Sequence, residues 1–103
     1  MSGLDNTSYT TRTVTGTTDT VLVTDSVIIY TSTSAKAVTL PTVATFTPGR
    51  QFSFINTATG AATITSTGAT IDGAATYVVP ATLGRVTIVN DGTNWFSISE
   101  VVV

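Results

Sequence analysis

About a quarter of the positions in this chain are threonine, from Thr7 to Thr93, and many sit between two apolar residues. The runs Ala62-Thr63-Ile64-Thr65-Ser66 and Arg85-Val86-Thr87-Ile88-Val89 show the pattern. Threonine is branched at Cβ, so its χ1 is stiff; that favours a pleated surface and penalises a helix. Alternation with Val, Ile and Phe at period two sends apolar groups to one sheet face and hydroxyls to the other. The chain is therefore expected to be all-β with an uncharged, hydroxyl-covered exterior.

Charge is scarce. Only 10% of the residues are charged, against about 25% in ordinary soluble domains, and the mean hydropathy is +0.38. The longest apolar runs, residues 27–30 and 101–103, fall far short of the roughly 20 residues of a spanning helix. Most strand candidates are also shorter than the about 9–11 residues of a membrane barrel strand. Membrane insertion is not expected. Burial against copies of itself explains the low charge better, so an obligate homo-oligomer is expected. A monomeric sandwich kept soluble by hydroxyls and amides is the alternative. Arg12, Lys36, Arg50 and Arg85 are scattered and form no stripe for phosphates, so nucleic acid is not an expected partner. Cysteine is absent, and the polar opening at residues 1–8 does not read as a secretory signal.

Residues 1–19 read as a flexible or extended lead-in and residues 20–103 as a single β-domain. Strand candidates cover residues 9–14, 21–23, 27–31, 37–40, 50–56, 62–66, 77–79, 85–90 and 94–99. Pro41, Pro48-Gly49, Asp72-Gly73, Pro80, Gly84 and Asp91-Gly92 punctuate them. This rhythm predicts short antiparallel strands in a sandwich, barrel-like or β-prism arrangement; a solenoid-like stack has the same rhythm. Residues 42–46 and 58–61 could each hold one helical turn at most. In the last hairpin, an odd loop of residues 91–93 between paired Asn90 and Asn94 would bring Val86, Ile88, Phe96 and Ile98 onto one face. Those four, with Phe52, Phe54 and Ile64, are the expected core. Val89 and Trp95 would then share the opposite face.

Histidine and cysteine are both missing. That excludes Ser-His-Asp and Cys-His catalysis and the ordinary zinc ligand sets. There is no phosphate-cradling Gly-Lys-Ser/Thr motif. Glycoside hydrolysis needs only two carboxylates about 5–10 Å apart, and Asp72 and Asp91 are the candidates. Each precedes a glycine, however, where aspartate usually builds a turn. Asp19 and Asp25 give a poor calcium pattern. No enzyme activity, metal or cofactor is expected. Among the aromatics Tyr9, Tyr30, Tyr77 and Trp95, the candidates for a glycan or subunit contact are Trp95, Tyr77 and Tyr30. An aromatic on a strand more often packs in the core.

Ile71-Asp72-Gly73, Tyr77, Gly84 and Asp91-Gly92-Thr93-Asn94-Trp95 together resemble a module of bacteriophage tail fibres, tail spikes and related virion proteins. Val38-Thr39-Leu40-Pro41 and Pro48-Gly49-Arg50-Gln51-Phe52 resemble its earlier strands, so the likeness runs from about Thr20 to Ser99. The resemblance implies homotrimers around a fibre axis, a place in the virion, and a role in building the fibre or contacting the host surface; other virion proteins and host-surface glycans are the expected partners. A capsid decoration or head-fibre protein and a carbohydrate-binding module are the alternatives. The chain departs from the family in lacking a long stalk or an enzymatic β-helix domain.

Overall fold

The computed structural model describes residues 10–101. Nine strands follow one another: β1 (Thr10–Val14), β2 (Thr18–Thr20), β3 (Asp25–Tyr30), β4 (Lys36–Thr39), β5 (Gln51–Asn56), β6 (Ala62–Thr65), β7 (Thr76–Val79), β8 (Gly84–Asn90) and β9 (Trp95–Val101). A 3-10 turn, Val43–Thr45, precedes β5, within a stretch that could hold one helical turn at most. In residues 58–61, the other such stretch, residues 58–60 form a bend.

The strands make two open sheets. Sheet A has the order β1-β3-β5-β8-β9 and sheet B the order β2-β4-β6-β7. Successive strands from β1 to β6 alternate between the sheets, so the chain winds as a two-sided coil. Consequently β1, β3 and β5 are parallel, as are β2, β4 and β6. Only β7, β8 and β9 pair antiparallel. The all-β expectation holds, but an all-antiparallel arrangement does not. Each early connection crosses to the opposite sheet, and a strand that returns one coil later must run in the same direction. Val27 stands beside Ser53 and Lys36 beside Ala62, the same sequence offset in both sheets. The first coil is shorter, since Val14 stands beside Tyr30.

From Thr10 onward the expected lead-in carries β1 and β2; its residues 1–9 lie outside the described residues. The expected strand at residues 21–23 is a loop in which only Val21 turns inward.

Period-two alternation sets the interior. In β5, Phe52, Phe54 and Asn56 point in, and in β8 Val86, Ile88 and Asn90 do. Sheet B contributes Val38, Leu40, Ala62, Ile64 and Val79. Burying each large apolar side chain contributes about 1.5–3 kcal/mol. The threonines lie outside: Thr20, Thr39, Thr65 and Thr76 stand side by side across all four strands of sheet B, each exposed.

The last hairpin departs from expectation. Asn90 pairs with Trp95 and Val89 with Phe96, leaving a four-residue loop. A bulge follows: Ile88 faces Ser97 while Thr87 faces Ser99, so Ile98 is the extra residue. Trp95 is therefore fully buried, and Phe96 and Ile98 are 42% and 55% exposed rather than in the core. The loop closes on itself, with Asp91 N donating to Asn94 O at 3.1 Å. This even register buries the indole, the largest apolar group on the strand, and leaves Phe96 outside.

Candidate functional site

Trp95 meets Phe46 edge-on at 5.7 Å between ring centroids and Phe52 at 5.7 Å. Tyr30, 1% exposed, stacks on Phe54 and donates its hydroxyl to Asp19 Oδ2 at 2.9 Å. Both rings are covered on the inside of the sandwich, so neither offers a face to a sugar or to a second subunit. Tyr77 is half-buried, and its hydroxyl donates to Glu100, tying sheet B to sheet A. Tyr9 lies outside the described residues. The three candidate aromatics are thus spread through the structure and form no common platform.

The candidate carboxylates are engaged by the chain itself. Asp72, at φ 52, accepts from Ser97 N at 2.9 Å and Ser97 Oγ at 2.6 Å. Asp91 accepts from Thr93 N at 2.9 Å and Asn94 N at 2.8 Å. Those backbone donors hold its pKa below the ordinary carboxylate value. Asp19 and Asp25 share one guanidinium, that of Arg12, which contacts Asp19 Oδ1 at 2.8 Å and Asp25 Oδ2 at 2.8 Å. This network fills the interior next to the edge strands β1 and β2. The sequence reading missed it, because no local motif joins Arg12 to carboxylates on two later strands.

A buried cation, Lys36, was missed as well. Lys36, 3% exposed, sends its Nζ to Ser32 O and Thr59 O, the latter at 3.1 Å. Its alternation partner Val38 also points in, and that period-two placement was the available signal. Burial pushes its pKa below the ordinary lysine value.

Among the concavities of the described surface are two next to the elements above. One of about 540 Å³ lies among Val23, Phe46, Thr47 and residues 49–51. Its cation, Arg50, covers the Phe52 ring at 4.2 Å and donates to Val23 O, Asp25 O and Gln51 O. Arg50 there clamps the loop before β3 onto β5. The other, about 250 Å³, is on the outer face of sheet A, lined by Val27, Ser53, Ile55, Arg85, Thr87 and Ser99 with the backbone beneath them. Farther along the same face, in the next row, Gln51, Val89 and Phe96 stand side by side. Exposed apolar groups and a hydroxyl-lined groove thus occupy one sheet face, and that face is the candidate site.

No known family description matches the chain, and no curated protein is significantly similar to it in sequence.

Proposed function

We propose that this chain is a structural, non-enzymatic protein of a viral, phage-like surface fibre. It works as a homotrimer on the virion, beside other virion proteins, and touches host-surface glycans. The observation that carries this reading is strand β9. It is an edge strand of sheet A, and its exposed side chains include Phe96 and Ile98. Edge strands offer unpaired backbone groups, and monomeric proteins usually protect them with charge, proline or a covering element. On β9 the one charged residue is Glu100. A second copy laid against this edge removes Phe96 and Ile98 from water. A head-to-tail contact of this kind closes as a ring when its rotation permits, and three copies of one surface convert weak glycan contacts into avidity. The resemblance of the turn and strand motifs to those of fibre modules is in keeping with the same reading.

Light scattering coupled to size exclusion tests it. The wild-type chain is expected at a mass near three copies. The double variant Phe96→Ser/Ile98→Ser is expected to fall to one copy with its strand circular dichroism intact. A wild-type monomer at low micromolar concentration would end this reading. Antibody labelling should decorate fibres projecting from particles; label confined to the head surface would point to capsid decoration instead.

A further inference from the structure

The groove on the outer face of sheet A has a composition of its own. Ser53, Thr87 and Ser99 stand in one register row across β5, β8 and β9. Ser53 Oγ and Thr87 Oγ1 are 2.8 Å apart. Each hydroxyl has one proton and two lone pairs, so this pair still holds a donor and acceptors for a ligand. Val27 lies beside Ser53 in the same row, and Ile55 stands opposite Arg85 in the next. Arg85 is exposed. Among the described residues, the ion pairs all use Arg12, and none uses Arg85.

We propose that this groove binds a single carboxylated sugar. The Arg85 guanidinium takes the carboxylate in a charge-assisted, two-point contact. The row of Ser53, Thr87 and Ser99 meets the ring hydroxyls. Val27 and Ile55 support the apolar face of the ring. The volume, about 250 Å³, is below the about 300–1,000 Å³ of pockets for drug-sized ligands, and it suits one ring rather than a chain of them. A neutral sugar forfeits the Arg85 contact. A bare carboxylate forfeits the hydroxyl row and the apolar floor. The glycan contact thereby moves from the buried Trp95 and Tyr30 to a polar groove containing no aromatic side chain among those facing outward. Binding at the groove stands by itself; its use in host attachment rests on the fibre reading.

The test is a titration of the full 15N-labelled chain with D-glucuronate, D-glucose and acetate, followed by amide shifts, with light scattering on the same samples. Glucuronate is expected to move the amides of Val27, Ser53, Ile55, Thr87 and Ser99. Glucose and acetate are expected to bind about tenfold more weakly or worse. Arg85→Gln, a change at an exposed side chain, should lose glucuronate to the same degree while keeping its amide spectrum. Three results would each overturn the proposal: no localised shifts, an equal response to glucose or acetate, or undiminished glucuronate binding in Arg85→Gln. A monomeric mass with intact glucuronate binding counts against the fibre alone. A trimeric mass without glucuronate binding counts against the groove alone.

Discussion

Arg12 and Asp25 meet in a two-point ion pair, Nε to Oδ1 at 3.0 Å and Nη2 to Oδ2 at 2.8 Å. The Asp25 side chain is fully buried, while Arg12 keeps 27% of its side chain exposed. Asp25 Oδ2 also accepts from Leu22 N at 2.8 Å. The guanidinium bridges on to Asp19, which receives the Tyr30 hydroxyl. Its hydrogen bonds to Asp25 and Asp19 raise the Arg12 pKa further, so it remains cationic at every pH of interest.

Removing that cation strands a carboxylate in the interior. Arg12→Leu is expected to cost about 3–5 kcal/mol, the usual penalty for breaking a buried pair from one side. Arg12→Lys keeps the charge but loses the fork, so its loss should be smaller. Urea unfolding midpoints at neutral pH measure both. A cost below about 1 kcal/mol for Arg12→Leu would mean the pair behaves like an exposed one.

Trp95 is the largest fully buried side chain. Trp95→Ala is expected to cost about 3–5 kcal/mol. Among the described residues its Nε1 has no hydrogen-bond partner, so Trp95→Phe gives up packing but no hydrogen bond and should cost markedly less than Trp95→Ala. Denaturation of the two variants side by side checks the order.

Gly60 and Gly16 should respond oppositely to alanine. At Gly60, φ is +83 and an added Cβ would lie 2.6 Å from the Ser34 carbonyl carbon. Gly60→Ala therefore meets both positive-φ strain and rigid backbone, and a loss above about 1 kcal/mol is expected. At Gly16 an added Cβ meets nothing within 4 Å among the described residues. Gly16→Ala is expected to be neutral or to gain up to about 1 kcal/mol by restricting the unfolded chain. Thermal melts of the two variants decide.

Alkaline pH should act on stability with two opposed signs. Burial lowers the Lys36 pKa from 10.5, so the unfolded chain holds that proton more tightly than the fold does. Stability from this group rises as pH climbs through the lowered value toward about 10.5. Tyr30 behaves in reverse. Burial first, and then the Asp19 charge, raise its pKa above 10.0. The fold keeps a proton that the unfolded chain releases, so stability falls as pH rises above about 10. Melting temperatures from pH 7 to 11 should show the rise disappear in Lys36→Met and the fall disappear in Tyr30→Phe.

Some of this architecture was legible beforehand. The alternation of residues 50–56 and 85–90 places Phe52, Phe54, Val86 and Ile88 inside, where they are. The two Asp-Gly pairs read as turns, and the aspartates bond nearby or facing backbone. Placement failed where two assignments of equal pattern competed. Trp95 and Phe96 are adjacent, so one of them must face out, and the loop length chose.

The sequence by itself determined that this chain is built from strands, which residues of most strands share a face, and where many of the turns fall. Those are local properties: Cβ branching, period two, and the φ range open to glycine. Tertiary structure alone decided that early strands run parallel in two sheets, that Arg12 reaches Asp19 and Asp25, and that Arg85 shares a groove with Ser53, Thr87 and Ser99. The physical reason is that side-chain alternation says which way a residue points but not which strand lies beside it. Backbone hydrogen bonds can be satisfied by many neighbours, and the choice is made by how the whole interior fills.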